Sequence, residues 1–242
     1  MMKKYKLYKN TIQLSFDDKK HIYSEGGKPV DGVTGILRVI AKPALIQWSA
    51  NQAVEYIERA WSSLDDEVQM KQMFNEAKYA HRKTADTAAT IGTLVHEWIE
   101  RHIQGVKQLE PKNKQIKQCV EAYLEWEKML KPEYLDTERI VYSRKNRFAG
   151  RFDVLLKMDG STYITDIKTS TGIYPDYWLQ LAGYRIAYQE EVCKRVDGLM
   201  IIRIGKDGKL EYRVQNNEEE ALRLAFTNAL HLHRALKRLQ TL

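Results

Sequence analysis

The stretch FAGRFDVLLKMDGSTYITDIKTSTGIYPDYWLQLAGY, residues 148–184, constrains this chain more than any other. Two runs of β-type residues flank Met158-Asp159-Gly160-Ser161. Asp-Gly between such runs is a strong hairpin signal. Successive strand side chains point to opposite faces. Phe152, Val154 and Leu156 are therefore expected on one face, and Arg151, Asp153 and Leu155 on the other. In the second run, Ile164, Asp166 and Lys168 share a face opposite Tyr163, Thr165 and Ile167. Pairing in this register makes Asp153 and Asp166 converge with Lys168 beside them. Pro175 then opens a helix, expected over 176–190, with Leu179, Ala182 and Ile186 as its core contacts. Gln180 and Tyr184 are one turn apart and share a face. Gly183 between them would let the helix approach the sheet closely. Gly150 either allows close approach of backbone or ligand, or marks a bulge.

Two convergent carboxylates suit a hard cation with oxygen ligands. Mg²⁺ typically takes one or two carboxylates and keeps waters and substrate phosphate oxygens. Such an ion polarises a phosphoryl oxygen and acidifies bound water. Lys168 could orient that water, or offset charge developing on phosphorus. The bland alternative is an ordinary Asp153–Lys168 ion pair on a strand face, with Gln180 and Tyr184 at the surface.

The ordered set GRFD, DIK and QLAGY, with Gly92-Thr93-Leu94-Val95-His96-Glu97 upstream, resembles the PD-(D/E)XK nuclease superfamily. More narrowly it resembles the RecB-like branch, whose layout phage-encoded exonucleases and the mitochondrial genome maintenance exonuclease share. The motifs run from Gly92 to Tyr184, under half of the chain. The resemblance implies an α/β fold with a mixed central sheet flanked by helices. It implies a Mg²⁺- or Mn²⁺-dependent DNA exonuclease acting on linear ends, of the kind used in phage-type recombination, replication or repair. A single-strand annealing protein is a conceivable partner. His96, Asp153 and Asp166 would hold the metal, with the Ile167 backbone carbonyl as a further ligand. Lys168 would assist the attacking water, and Gln180 and Tyr184 would position Lys168 or the scissile phosphate. Glu138 matches an accessory acid at the start of a strand, and a surface strand acid is the equal alternative. Glu97 and Glu100 are weaker candidates. A structure-specific endonuclease and a non-catalytic DNA-binding module on the same fold remain as alternatives.

Composition narrows the classes. A chain of 242 residues with net charge +7 is expected to form one domain and to suit a polyanionic partner. Cys119 and Cys193 are too few for an iron–sulfur cluster. No G-x-x-x-x-G-K-[ST] motif points to ATP. The basic N-terminus lacks a signal peptide's apolar run, and no window reads as a membrane span, so an intracellular protein is expected.

The rest of the chain reads as follows. A hairpin is expected over 5–24, closed by Gly26-Gly27. Thr34 and Lys42 either hold a phosphate or are a helix cap and a solvated lysine. A helix from Pro43 carries Ile46, Ala50, Ala53, Ile57 and Trp61 as its apolar face, Trp61 being the best core candidate. Residues 62–86 are polar and helical in pattern, with Lys71, Lys78, His81, Arg82 and Lys83, either a solvated face or a wall of a DNA channel. The His96 helix is expected over 84–104 and another helix over 111–130. Strands follow at 138–143, 149–157 and 161–168. Arg144, Lys145 and Arg147 form a basic turn expected next to the site, and Arg151 is a further DNA-contact candidate. Strands at 196–204 and 209–214 and a helix at 217–239 complete the chain. Residues 1–83 are expected as an N-terminal DNA-access region and 84–242 as the catalytic core.

Overall fold

The computed structural model describes residues 2–62 and 66–240. Its central hairpin joins β6 (Phe148–Met158) to β7 (Ser161–Lys168). Asp159 and Gly160 both take positive φ, 50° and 80°, the backbone that two-residue hairpin turns require. Met158 pairs with Ser161 and Val154 with Thr165, which sets Asp153 and Asp166 next in register.

Around this hairpin the described strands form one mixed sheet. The N-terminal strands β1 (Met2–Leu7), β2 (Ile12–Asp17), β3 (Ile22–Glu25) and β4 (Lys28–Gly32) run as an antiparallel meander. The expected hairpin over 5–24 is thus the start of something larger. Gly26 and Gly27, both at positive φ, turn the chain into β4 instead of ending the element. β4 then pairs parallel with β6, Asp31 opposite Phe148. β5 (Glu133–Ser143) pairs antiparallel with β6. It begins before the expected 138, with a bulge between Tyr134 and Asp136. Beyond β7 come β8 (Gly198–Ile204), parallel, and β9 (Leu210–Gln215), antiparallel.

Of the helices, α1 (Val33–Ile36) follows β4, and α2 (Pro43–Trp61), α3 (Glu67–Ala77) and α4 (Ala80–Ile103) follow it. α5 is Lys114–Leu130, α6 Pro175–Val192 and α7 Glu219–Leu239. α5 starts later than expected because the Asn113 side chain caps it, accepting from Gln115 N and Ile116 N. Residues 63–65 of the polar 62–86 stretch lie outside the described residues. Among the described residues no helix is long and apolar enough to cross a membrane.

The chain divides into two compact units, residues 1–40 with 95–242, and residues 41–94. The division does not follow the 83/84 boundary, because the N-terminal meander packs with the later strands. Leu7, Ile12, Leu14 and Val30 share a core cluster with Ile140, Tyr142 and Ala149. In the second unit, α2 buries none of its residues; Ile46 is 74% and Trp61 57% exposed. The expectation of Trp61 as a core residue is therefore wrong. A stripe at helical spacing marks where a helix can bury a face, and the stripe does not supply the partner.

The main core lies between the sheet and α6, which α7 backs. α6 is buried around most of its girth, through Leu181, Ala182, Tyr184, Ala187 and Tyr188. Leu179 and Ile186, expected in the core, are only partly buried. Gly183 does allow a close approach, but of α7 and not of the sheet. A Cβ there would lie 2.6 Å from the Phe226 ring.

Asp31 ties three segments of the first unit together. Its carboxylate accepts from Arg234 Nε at 2.9 Å and faces Lys237 and His233 on α7. Arg234 also donates to the carbonyls of Asn146 and Arg147 in the β5–β6 turn. Burial raises the Asp31 carboxyl, but Arg234, Lys237 and His233 outweigh it and hold it below its ordinary value. A depressed carboxyl stabilises the fold above the unfolded pKa and ceases to do so as pH falls through the folded one. Asp31→Asn is expected to cost about 1–2 kcal/mol at neutral pH. Thermal unfolding should show the gap to wild type at pH 7 and its closure below about pH 4. A gap that persists in acid would remove the charge explanation.

Candidate active site

Strict alternation fails along β6 at one place. Phe152 meets Tyr188 of α6, ring centroids 5.8 Å apart. Leu155, three residues on, pairs with Ile164 and belongs to the same core cluster. Phe152 therefore does not share a face with Val154 as expected. The ladder keeps its register here but is interrupted, since Thr137–Val154 and Arg139–Phe152 pair while Glu138 and Asp153 between them do not. Glu138 takes a φ of 49° there, a left-handed conformation that costs a non-glycine residue energy and tends to persist at functional positions. The irregularity leaves Glu138 and Asp153 unpaired in the ladder, so neither is committed to regular strand packing.

Around this irregularity the first unit assembles an acidic cluster with one lysine. Asp153 Oδ2 accepts from the Ile167 amide at 2.7 Å and lies 3.5 Å from His96 Nδ1 on α4. Ile167 thus meets Asp153 through its N–H. Asp166 is 1% exposed. Its Oδ2 touches the Lys168 ammonium but accepts no well-directed hydrogen bond. Its Oδ1 accepts from Gln180 Nε2 at 3.3 Å. Gln180 also donates to the Tyr184 hydroxyl at 2.8 Å, and its carbonyl faces Lys168 Nζ at 3.4 Å. The structure brings together His96, Asp153, Asp166, Lys168, Gln180 and Tyr184. Gln180 and Tyr184 are inward-facing, so the surface alternative does not hold.

Gly150 serves this arrangement by having no side chain. A Cβ there would sit 2.4 Å from Tyr184 Cε1 and 3.1 Å from Val33 Cγ2. The approach is made by the Tyr184 ring.

Burial pushes the Asp166 carboxyl up to about 6, with Asp153 adding to the rise and Lys168 opposing it. Burial likewise pushes Glu138 up to about 7, helped by Asp153 and opposed by Arg151. Lys168 is drawn down by burial, but Asp166 and Asp153 carry it above its ordinary value. Glu100 adds to the field at Glu138.

Asp153 adds to the rise at both Asp166 and Glu138, so the buried acids would accommodate further positive charge. These are hard oxygen donors of the kind Mg²⁺ takes. Among the described residues no three His, Cys, Asp or Glu side chains stand as a group that could hold a metal ion. The donor set fits a divalent cation in kind.

Other candidates lie elsewhere. Arg151 Nε pairs with Glu138 at 2.8 Å. Arg147 pairs with Glu25 at 2.9 Å, and the backbone N–H of Lys145 bonds Glu190. The basic turn 144–147 follows Ser143 and precedes Phe148, at the far end of the hairpin from Glu138 and Asp153. It is therefore not adjacent to the acids, because an extended strand of five residues spans roughly 17 Å. Thr34 is exposed on α1, whose N-cap is Gly32, so it is not the cap. Lys42 belongs to the second unit. One neighbour went unread in the sequence. The Lys168 ammonium lies 5.0 Å from the centre of the Tyr177 ring. Tyr177, Gln180 and Tyr184 stand at helical spacings of three and four, which is the signal that identifies it.

No family model matches this chain, and no curated protein does. Among solved structures it is similar to that of SSO0001, with TM-score 0.33 and 11% identity, covering 78% of this chain and 86% of that one. It is also similar to a chain from Eubacterium rectale provisionally named an exonuclease, with TM-score 0.40 and 12% identity, covering 60% and 68%. Neither likeness is close enough to carry a neighbour's activity over to this chain.

Proposed function

We propose that this chain is a divalent-cation-dependent deoxyribonuclease of the PD-(D/E)XK type, working as an exonuclease on linear DNA. The observation that carries the reading is the convergence of Asp153 and Asp166 from adjacent strands, with Lys168 held between Asp166 and Gln180. Net charge +7 is in keeping with a polyanionic substrate. The preference for ends rests on the resemblance of the motifs to RecB-like exonucleases.

In this reading Asp153, Asp166 and His96 hold Mg²⁺ or Mn²⁺, with Glu138 and the Ile167 carbonyl as accessory donors. When bound, the cation supplies a more acidic water and charge stabilisation at the phosphoryl oxygens. The chain's own groups do the rest. Lys168 orients the attacking water or meets charge growing on the phosphate. Gln180 fixes the Lys168 ammonium, and Tyr184 fixes the Gln180 amide. Tyr177 shields one side of the ammonium.

The test incubates the purified protein with Mg²⁺ and linear single strands, linear duplex, closed circular duplex, and linear duplex lacking 5′-phosphates. Release of nucleotides from linear DNA only, abolished by EDTA, is the expected result. Nicking of the circle would replace the exonuclease by a structure-specific endonuclease. No cleavage, with a salt-sensitive gel shift, would leave a DNA-binding module. A second readout needs no activity. Saturating Mg²⁺ is expected to raise the Tm of wild type through binding linkage, and to leave that of Asp153→Asn/Asp166→Asn unchanged. An equal rise in both would move the cation elsewhere.

A further inference from the structure

Beside the acid cluster, the segment from Lys168 to Tyr177 builds an aromatic step. The Lys168 ammonium lies 5.0 Å from the centre of the Tyr177 ring. Tyr174, three residues earlier, meets Tyr177 with ring centroids 5.5 Å apart and planes at 85°. Tyr177 is thus engaged by the ammonium and by its neighbour, whereas Tyr174 remains 41% exposed. A single exposed aromatic residue is ordinary on a protein surface, but this one is held. The Tyr174 hydroxyl shares a hydrogen bond with Thr171 Oγ1 at 2.8 Å. Arg203 braces the same loop between β7 and α6. It lies opposite Lys168 in the parallel β7–β8 register and donates from Nε to the Ser170 carbonyl at 2.8 Å. Tyr174 is the N-cap residue of α6, yet its side chain does not cap the helix. The local needs of the fold therefore do not account for an aromatic ring at this position.

We propose that Tyr174 is a stacking platform for a nucleobase, the base of the nucleotide whose phosphate meets Lys168. The proposal rests on the nuclease reading above and deepens it by naming what receives the base. The geometry suits that ligand. In a nucleotide one sugar separates the base from its phosphate, and Tyr174 stands one aromatic ring away from the Lys168 ammonium. An aromatic face accepts any of the four bases, as a nuclease without sequence preference requires. A ring already fixed by Thr171 and by a braced loop gives up little freedom when the base arrives, which favours binding. Bases inside a duplex are already stacked on their neighbours. The platform therefore serves an unpaired nucleotide, from a single strand or from the frayed end of a duplex.

The test compares two short fluorescent single strands of equal length, one ordinary and one in which every base is replaced by an abasic sugar. Both carry the same phosphates, so they differ only in what can stack. Affinities are read by anisotropy in EDTA, where nothing is cut. Wild type is expected to prefer the ordinary strand. Tyr174→Ala should lose about tenfold of that preference while holding the abasic strand as wild type does. Tyr174→Phe keeps the ring and should keep most of the preference. A ring that merely supports the loop would, when removed, weaken both strands alike, and that result overturns the proposal. So does an unchanged preference in Tyr174→Ala, or a wild type that binds both strands equally or neither. The outcome is separable from the nuclease reading. Cleavage in Mg²⁺ with no base preference at Tyr174 would remove the platform and leave the nuclease. A base preference that depends on Tyr174, with no cleavage in Mg²⁺, would leave the platform on a DNA-binding module.

Discussion

Asp166→Asn/Lys168→Met is expected to lower DNA cleavage by at least about a hundredfold while leaving the fold nearly as stable as wild type. The double change is the informative one. Asp166 is 1% exposed and touches Lys168. Removing either partner alone strands a buried charge and typically costs about 3–5 kcal/mol. Lys168→Ala alone should therefore lose activity and stability together, and the loss of activity would have two explanations. Removing both charges with shape kept is often close to neutral for stability. Gln180 would still hold the new amide and the Tyr184 hydroxyl. Cleavage rates of the purified variants, measured beside their melting curves, decide the matter. Undiminished cleavage in the double variant would remove Asp166 and Lys168 from the chemistry.

Gly150→Ala is expected to have the next largest effect, on stability and activity together. The added Cβ would stand 2.4 Å from Tyr184 Cε1 and 2.9 Å from Cδ1. Tyr184 is 3% exposed and has no open space to swing into. Overpacking of this kind costs about 1–3 kcal/mol or more. It would also shift the hydroxyl that accepts from Gln180 at 2.8 Å, and with it the group that faces the Lys168 ammonium. The Tm should fall by several degrees, and cleavage should fall further than the loss of folded protein explains. A variant that melts and cleaves like wild type would show that β6 can move away from Tyr184 at no cost.

Much of this architecture was legible in the chain. The Asp159-Gly160 turn and the strands on either side are local, so hairpin register follows from short-range preferences, and with it the juxtaposition of Asp153 and Asp166. Gln180 and Tyr184 share a face because helical period leaves them no choice. The strand ends at Ser161 and Lys168 fall where the pattern places them. The mixed sheet flanked by helices follows from the order of elements.

Other features had no local signature. Glu138 takes left-handed backbone although it is neither glycine nor asparagine. Only its place between the paired positions Thr137 and Arg139 imposes that conformation, and the interruption it shares with Asp153 undoes the alternation expected for Phe152 and Val154. The closeness at Gly183 was readable from the residue type, but its partner, Phe226 of α7, lies 43 residues on in the chain. The α2 stripe shows the converse, a helical period that the second unit leaves exposed at Ile46 and Trp61.

The sequence by itself determined the hairpin, its two acids, the lysine beside them and the helix that bears Gln180 and Tyr184. Each depends on dihedral preferences and side-chain periods within a few residues. Only the tertiary structure decided that Asp31 joins β4 to α7, that Tyr184 fills the space above Gly150, and that Tyr177 covers Lys168. Those are meetings of segments far apart in the chain. Packing and burial select them, and no local pattern encodes the partner.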